Sequence, residues 1–418
     1  MAPAIVMLGQ TGHLVRRDRK NFRGHPGGVV SVSEVTSGLE VLVGEQTALL
    51  RGQRVGIVTN EGAIDRRFQH VVDVIQALPG VEVVRLFAAE HGIRGADAAG
   101  VPVADGIDPI SGIPVQSIYG PRLWPTDEAL EDLDCLLYDI PDVGARFYTR
   151  PATLVYCLRA AARHAKRFIV LDRPNPIGGE AIEGPSLRPG FESFVGLAGL
   201  PIRHGLTLGE LARFVNFEEG LNADLVVVPA RGWRRATWYD QTDLPWILPS
   251  PNLPTLDSAT VYPGTCFVEG TTASEGRGTT RPFELLGAPF VDAHRLATAL
   301  NQQHLPGVHF RPAFFRPVNH KHANTMCGGV QVHVTDRDIF RPVFAGVAIL
   351  LTIRRLWPDD FAWRPAPVGT LPFIDRLAGG TWLREAVAAQ ADPRDVAAEW
   401  RRDEADFAER RRPHLLSE

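Results

Sequence analysis

Residues capable of acid–base chemistry follow four apolar runs in the first half of the chain. They are Asn60 after residues 55–58, Glu90 and His91 after residues 83–87, Asp139 and Asp142 after residues 135–138, and Asp172, Arg173 and Asn175 after residues 168–171. If the runs are parallel strands, their carboxyl ends lie at one edge of a sheet, where α/β proteins bind their ligands. The pattern therefore predicts one site at this edge.

Glu90 is the best candidate acid at the predicted site. It opens the segment Glu90-His91-Gly92-Ile93-Arg94-Gly95, directly after an apolar run. A carboxyl group at a strand end, partly shielded by Phe87, is expected to have a raised pKa and to act as a general acid. Alternatively, Glu90 pairs with Arg94 and only holds the loop. His91 is expected on the opposite face, because adjacent residues of an extended chain point apart.

Residues 139–148 place two carboxylates, an arginine and a tyrosine within ten positions: Asp139, Asp142, Arg146 and Tyr148. An arginine and a tyrosine at a sheet edge suit a polar, anionic or sugar ligand. In the alternative interpretation, Asp142 and Arg146 form a structural ion pair and Asp139 caps a turn. The same two alternatives, substrate contact or structural turn, apply to residues 172–176 and to the segment around His204.

A glycine-rich loop in the second half, residues 269–282, carries Glu275 and Arg277. It lacks the lysine of a phosphate-binding loop, so we expect it to bind a carboxylate or sugar hydroxyls. The sequence contains neither a G-x-S-x-G nor an H-E-x-x-H motif. Carboxylate chemistry is therefore favoured over serine or metal hydrolysis, and we expect neither a metal nor another cofactor.

Composition indicates a globular protein without a nucleic-acid partner. Of 418 residues, 44% are hydrophobic and 22% charged, and the formal net charge is −4, which lacks the basic excess of nucleic-acid binders. The four cysteines are far apart, so buried free thiols are expected rather than a zinc site. The N-terminus lacks the basic-then-apolar order of a secretory signal, and the run at 343–353 is too short to span a bilayer. We expect a cytoplasmic location, or an extracytoplasmic one if the true N-terminus differs.

The elements that must position these residues alternate between strands and helices. Strands are predicted at 54–59, 81–87, 135–139, 168–172 and 225–228, with amphipathic helices between them. This alternation predicts a Rossmann-like parallel sheet. Gly9 and Gly12 suggest a dinucleotide-binding turn, but no third glycine and no amphipathic helix complete it.

Five prolines between Pro245 and Pro263 mark the predicted domain boundary. We therefore expect an N-terminal extension at 1–36, a Rossmann-like α/β domain at 37–244 and a smaller mixed α/β domain at 245–418. In the latter, helices are expected near 291–303, 338–356 and 393–411, with a β run at 329–334.

Taken in order, the motifs resemble the exo-β-N-acetylmuramidase family typified by the NamZ proteins. The matching segments are residues 90–95, 139–149, 172–179, 183–185, 203–205, 232–235, 249–255, 262–265, 274–284 and 327–330. The resemblance implies an active cleft between the two domains, with Glu90 as the catalytic residue. It also implies release of N-acetylmuramic acid from the non-reducing ends of peptidoglycan fragments. The chain departs from the family at Ala89, Pro141 and Arg150, and Arg150 is expected to alter a subsite wall.

The sequence thus predicts a hydrolase acting on β-linked N-acetylmuramic acid, with MurNAc–GlcNAc disaccharides or muropeptides as partners. Arg146, Arg173 or Arg277 is expected to bind the lactyl carboxylate. Glu90 works either with a second carboxylate, Asp142 or Glu275, or with the substrate's acetamide, oriented by Tyr148 or an Asp. Remaining substrate contacts are expected from Asn60, His91, Arg94, Asp139, Asp172, Asn175 and His204. The alternatives are a non-catalytic muropeptide-binding or sensing protein and an amidase; the latter lacks an evident nucleophile or metal site.

Overall fold

The computed structural model describes residues 32–95, 97–98 and 100–417. In its first part the strands are β1 (Arg54–Thr59), β2 (Glu82–Ala88), β3 (Gly106–Ile107), β4 (Pro114–Ser117), β5 (Cys135–Asp139), β6 (Arg167–Leu171), β7 (Glu183–Ser186), β8 (Pro201–Arg203) and β9 (Leu225–Val228). The helices are α1 (Gly38–Glu45), α2 (Val71–Gln76), α3 (Asp127–Glu131), α4 (Thr149–Arg163) and α5 (Leu208–Glu218).

The second part contains the strands β10 (Leu285–Ala288), β11 (Val308–Phe315) and β12 (Cys327–Val334). Its helices are α6 (Leu256–Thr265), α7 (Ala293–Asn301), α8 (Pro342–Leu356), α9 (Phe373–Ala378), α10 (Trp382–Ala388), α11 (Pro393–Glu399) and α12 (Arg401–Arg411). Short 3-10 turns occupy Thr47–Leu49, Tyr239–Gln241, Cys266–Gly270 and Arg412–His414. Within the described residues, none of the helices has both the length and the hydropathy that a membrane crossing requires.

A seven-stranded sheet in the order β3-β4-β2-β1-β5-β6-β9 forms the centre of the first part. Its strands are parallel except β3, which pairs antiparallel with β4. The predicted Rossmann-like parallel sheet is therefore confirmed. The strand order reverses at β1, which lies between β2 and β5. In α/β folds, such a switch point is where the carboxyl ends of the strands open a crevice for ligands.

The sheet forms because successive side chains along each strand alternate between two apolar cores. In β1, Val55 and Ile57 belong to one buried cluster and Val58 to the other; in β5, Leu137 and Tyr138 divide in the same way. Successive side chains of a strand point to opposite faces, so both faces of the sheet are covered. The carboxyl edge is thereby left as the surface where polar residues collect.

The predicted N-terminal extension falls mostly outside the described residues. Residues 1–31, including the glycine turn at Gly9 and Gly12, lie there. Ser33 and Thr36, by contrast, form β-bridges with Thr242 and Arg231.

The second part is built on an antiparallel sheet in the order β10-β12-β11, packed against helices. The predicted single helix at 393–411 is wrong, because α11 ends before Trp400 and α12 begins after it. Trp400 is 2% exposed and belongs to the core of the second part. Residues 143–148, which follow β5 in the first part, join this same core with Val143, Phe147 and Tyr148.

Candidate active site

A cleft of about 730 Å³ is lined by residues of both parts of the fold. The first part contributes Glu90, Tyr119, Tyr148 and Thr149, from the carboxyl edge of the sheet and the start of α4. The second part contributes polar and aromatic side chains, among them Asn252, Tyr262, Glu269, Glu275, Arg277, Phe283, Lys321, His322 and Arg364. A cleft of this size accommodates a sugar residue.

Glu90 reaches the cleft because the chain turns sharply after β2. His91 and Gly92 both have left-handed backbone angles, with φ of 73° and 77°. The Gly100 N–H and the Tyr119 hydroxyl donate to Glu90 Oε1, each at 2.9 Å. The Thr149 hydroxyl donates to Oε2 at 2.9 Å. Three donors therefore fix the orientation of a carboxylate that is 9% exposed.

The prediction that the pKa of Glu90 is raised is wrong. Burial does raise the pKa of this carboxyl, but Arg150 and His91 and the hydrogen bonds from Gly100 and Tyr119 together outweigh it, so the pKa lies below its usual value. Hydrogen bonds and positive charge stabilise the ionised form of a carboxyl group. Glu90 is therefore an anion at neutral pH.

Arg150 is the cation next to Glu90, and its position differs from the one predicted from the sequence. It was expected to shape a subsite wall, but its side chain is fully buried behind Glu90. One Nη donates to the Glu90 carbonyl oxygen at 3.2 Å and the other to the Pro249 carbonyl oxygen at 3.5 Å. Burial lowers the pKa of Arg150, but the neighbouring Tyr148, Glu90 and Glu61 outweigh this effect and raise the pKa above its usual value. Arg150 therefore acts on the cleft through Glu90 and not through direct contact.

Glu61 is a second carboxylate near Arg150 and Glu90, and it is not among the site residues predicted from the sequence. Burial raises the pKa of its carboxyl, and the charge of Arg150 opposes this effect. Its signal was present in the sequence, because it follows β1 directly after Asn60. Glu61 does not line the cleft.

The opposite wall of the cleft is an ion network on the glycine-rich loop. Arg277 Nε lies 2.9 Å from Glu269 Oε1 and 3.4 Å from Glu275 Oε1. Lys321 Nζ lies 2.8 Å from Glu275 Oε2, as a close ion pair without hydrogen-bond geometry. Lys321 also donates to the backbone carbonyls of residues 268, 271 and 273 at 2.7–3.0 Å. Glu275 and Arg277 therefore line the cleft with their charges already neutralised by each other and by Lys321 and Glu269.

Two family profiles cover nearly all of the described chain. Residues 55–257 match the family described as exo-beta-N-acetylmuramidase NamZ, N-terminal, and residues 260–416 match its C-terminal counterpart. The chain belongs to the NamZ exo-β-N-acetylmuramidase family. The predicted family is thereby confirmed.

Individual NamZ-family relatives agree with this assignment over almost their full length. The chain is 43% identical over 383 residues to the peptidoglycan beta-N-acetylmuramidase NamZ of Bacillus subtilis (strain 168), covering 92% of the chain and 91% of that protein. It also resembles two crystal structures of DUF1343 family proteins from Bacteroides fragilis NCTC 9343. These superpose with TM-scores of 0.86 and 0.75 at 36% and 30% identity, each covering 92% of the chain and 99% of the other protein.

Four of the predicted site residues line the cleft of this NamZ-family chain: Glu90, Tyr148, Glu275 and Arg277. Tyr148 presents its ring, since its hydroxyl donates to the Pro249 carbonyl oxygen. That bond commits the hydroxyl hydrogen, so toward a substrate acetamide the Tyr148 oxygen can act only as an acceptor. The other predicted residues lie elsewhere, for physical reasons that differ between them.

Arg146 and Arg94 do not face the cleft, which corrects their expected roles in substrate binding. Arg146 is 1% exposed and donates to the backbone carbonyls of Pro185, Leu200 and Leu377 at 2.8–3.1 Å. Burial lowers its pKa to about 9. Arg94 forms a bidentate pair with Asp108 at 2.8 and 3.0 Å, so it does not pair with Glu90 either. Both arginines hold segments of the fold together.

Asp139 and Arg173 form a buried bidentate pair across neighbouring strand ends, with an Nη–Oδ2 distance of 2.9 Å. Asp139 is fully buried, and the side chain of Arg173 is 12% exposed. Each residue neutralises the charge of the other. Arg173 lines a small, separate cavity of about 30 Å³ and not the cleft. This placement corrects its expected contact with the lactyl carboxylate.

Asp142 and His204 are buried side by side, with 3.7 Å between Oδ2 and Nε2. Burial raises the pKa of Asp142 to about 6 and lowers that of His204 to about 3. Asp142 Oδ2 accepts from the Gly144 N–H, and His204 Nδ1 accepts from the Leu206 N–H. Neither residue lines the cleft, so Asp142 is not placed to be the partner of Glu90.

The remaining predicted contacts fasten loops at the sheet edge. Asn60 Oδ1 accepts from the Gly62 N–H, Asp172 Oδ1 accepts from the Gly209 N–H, and Asn175 Nδ2 donates to the Leu206 carbonyl oxygen. For Asp172 and Asn175 this is the structural role that the sequence left open as the alternative, although their bonds join distant segments and not a local turn. His91 joins the Glu90 loop to the cleft wall, since its Nε2 lies 3.1 Å from the Ser250 hydroxyl.

Among the described residues, no three His, Cys, Asp or Glu side chains are grouped so that they could hold a metal ion. The polar lining of the cleft includes carboxylates, arginine, lysine, histidine and hydroxyl groups.

Proposed function

We propose that this chain hydrolyses the glycosidic bond of N-acetylmuramic acid at the non-reducing end of peptidoglycan fragments. The observation that carries the proposal is the Glu90 carboxylate, fixed by three donors at the wall of a sugar-sized cleft. Membership of the NamZ family supports a catalytic role and not the alternative of a non-catalytic binding or sensing protein.

In this proposal, Glu90 enters the reaction in its ionised form. Its lowered pKa makes it a proton acceptor, able to hold the N–H of the substrate's acetamide or to take a proton from an attacking water. This role replaces the general acid expected from the sequence, because Arg150 offsets the effect of burial. Glu269 and Glu275 are the other carboxylates of the cleft.

The lactyl carboxylate of N-acetylmuramic acid needs a cationic partner in the cleft. Arg146 and Arg173 lie outside the cleft, and Arg277 is engaged with two carboxylates. Arg364 lines the cleft, has an exposed side chain and lies with Cζ 4.9 Å from the Phe373 ring centroid. Within the part of the chain that the structure describes, no carboxylate forms an ion pair with it.

We therefore propose that Arg364 binds the lactyl carboxylate. No motif or spacing points to Arg364, because it lies in a proline-rich loop far along the chain from any predicted strand end. Its stacking on Phe373 holds the guanidinium plane at the cleft while its donors stay free for a ligand.

The experiment compares chromogenic β-glycosides of N-acetylmuramic acid and N-acetylglucosamine, which differ by the lactyl group. Wild type should prefer the former. Arg364→Met should lower kcat/KM for the muramic substrate about 10- to 100-fold, the value of a charged hydrogen bond, and leave the glucosamine substrate unchanged. Arg402→Met, whose side chain is 90% exposed, is the control and should match wild type.

Two results would count against these proposals separately. If wild type releases no chromophore from the muramic substrate, the proposed function is wrong. If Arg364→Met keeps the wild-type ratio between the two substrates, the function stands and the assignment of Arg364 is wrong.

A further inference from the structure

Four aromatic rings form a continuous row from Glu90 to the outer surface of the first part of the fold. Tyr119 donates to Glu90 and lies 5.8 Å from Phe194, measured between ring centroids. Phe194 stacks on Tyr156 at 6.1 Å with an interplanar angle of 12°. Tyr156 in turn lies 5.6 Å from Trp124. The row begins in the wall of the cleft, because Tyr119 lines it, and ends at Trp124, which is 42% exposed.

The outer end of the row opens into a shallow depression of about 550 Å³. Trp124 and Tyr156 supply its aromatic floor, and Arg159 and Arg163 supply charge beside it. Arg159 is held in place by a bidentate pair with Glu219 and by its position 5.7 Å from the Tyr156 ring. The depression therefore combines a rigid aromatic surface with polar groups at its border.

This combination is the chemistry that recognises a sugar chain. Pyranose rings present apolar C–H faces that pack on aromatic rings, and their hydroxyls accept hydrogen bonds from arginine. The mechanism of the cleft uses none of these residues except Tyr119. A glycan whose terminal sugar occupies the cleft must continue over the adjacent protein surface. The aromatic row links the depression to the cleft side chain by side chain, because Tyr119 and Val195, the neighbour of Phe194, both line the cleft.

We propose that the depression at Trp124 and Tyr156 binds the part of the glycan chain that lies beyond the cleaved bond. The inference rests on the proposed function, since the terminal sugar must be held in the cleft. It adds a binding surface for longer substrates, with the leaving saccharide as its occupant. Contact between this saccharide and the aromatic row also increases the retention of long chains relative to short ones.

The test compares Trp124→Ala with wild type on two substrates. On the chromogenic β-N-acetylmuramide, which is too short to reach the depression, kcat/KM should be unchanged. On glycan strands of four or more sugars with N-acetylmuramic acid at the non-reducing end, KM should rise about 5- to 10-fold, the value of one aromatic contact. Phe314→Ala removes an aromatic side chain that is 65% exposed on β11, and it should behave as wild type on both substrates.

Two results would overturn the proposal. Equal losses on the two substrates would mean that Trp124 acts through the aromatic row on Glu90, and an unchanged KM on long strands would mean that no glycan binds there. Binding of the same strands to Glu90→Gln, with and without Trp124→Ala, gives a readout independent of turnover. The affinity should fall 5- to 10-fold with the tryptophan removed. An unchanged affinity contradicts the proposal even if the wild type proves inactive.

Discussion

The state of Glu90 results from two opposing effects of its position in the fold. Removing a carboxylate from water disfavours its charge, and this is the largest single effect on its pKa. The same position places it next to Arg150 and places three hydrogen-bond donors at its oxygens. The charge and the hydrogen bonds together outweigh the effect of burial, so the pKa is lowered. Glu90 is therefore both shielded and ionised, a combination suited to a base acting on a bound sugar.

Arg150→Met tests this balance at the level of one residue. Glu90 works as a carboxylate, so activity should be lost as the pH falls through its pKa. Removing the arginine raises that pKa and should shift the acidic limb of the kcat/KM profile to higher pH, whereas Arg150→Lys, which keeps the charge, should shift it less. The measurement is kcat/KM against pH, with circular dichroism to verify folding. An acidic limb that stays in place in a folded Arg150→Met variant would show that Arg150 does not set the pKa of Glu90.

Asp142→Asn tests the structural reading of a residue that the sequence made a catalytic candidate. The pKa of Asp142 is about 6, above its unfolded value, so its contribution to stability is complete below pH 3.8 and is lost as the pH rises through 6. At pH 8 the buried charge is costly, and the neutral isostere should raise the melting temperature by about 2–5 °C. At pH 4 the difference should vanish.

Asp139→Asn is the matched change, and its effect on the melting temperature at pH 8 should have the opposite sign. It breaks the buried pair with Arg173 and should lower the melting temperature at pH 8. Thermal unfolding at the two pH values measures both variants. A lower melting temperature for Asp142→Asn at pH 8 would mean that its charge stabilises the fold.

At the residue scale, the sequence predicted which groups are present but not what they pair with. Glu90 was found because a carboxylate follows a strand directly. Arg146 was misassigned because its three acceptors are carbonyls supplied by residues 39, 54 and 231 positions away. Arg364 was missed because its position in the cleft depends on how the second part of the fold packs, which no local spacing reveals.

At the scale of elements, α6 and α8 cross with their backbones in close contact. This crossing positions one wall of the cleft. A Cβ atom on Gly264 would lie 1.7 Å from the Pro342 carbonyl oxygen, and one on Gly346 would lie 2.3 Å from the Gly264 carbonyl oxygen. These are backbone atoms, which cannot move aside as a flexible side chain does. The crossing holds Tyr262 of α6 and the turn Cys266–Gly270 in the wall of the cleft.

Gly264→Ala should therefore separate the two helices and destabilise the fold. We expect a loss of about 1–3 kcal/mol in the free energy of unfolding, as for overpacking in a rigid core. Chemical denaturation measures the effect. Gly44→Ala is the control, because that helical glycine has open space around it and alanine favours a helix by about 1 kcal/mol. A Gly264→Ala variant as stable as wild type would show that the helices are not in direct backbone contact.

The elements themselves were predicted to different degrees. The strands at 54–59, 135–139 and 225–228 are confirmed at both ends, because a short apolar run in a buried sheet has clear limits. Helix α6 was not predicted. Residues 258–265 are buried all round, so the segment carries no amphipathic period and contains Pro263 besides.

At the scale of the whole molecule, the cleft is formed by two parts of the fold, and neither part could form it alone. The first part provides the ionised Glu90 and its donors, and the second provides the network of Glu275 and Arg277 and the unpaired Arg364. The contacts of His91 with Ser250 and of Arg146 with Leu377 connect segments that are 159 and 231 positions apart along the chain. The sequence predicted this two-part cleft through family resemblance; its strand-end pattern indicated only the edge of the first part.

The most direct test of the account is the activity of Glu90→Gln on a chromogenic β-N-acetylmuramide. The amide keeps the shape of the side chain but not its charge, so kcat/KM should fall about 10²- to 10⁴-fold while the melting temperature stays close to that of wild type. Glu409→Gln, with its side chain 77% exposed, should retain full activity. A Glu90→Gln variant that hydrolyses the substrate at the wild-type rate would contradict the central claim that this carboxylate performs the reaction.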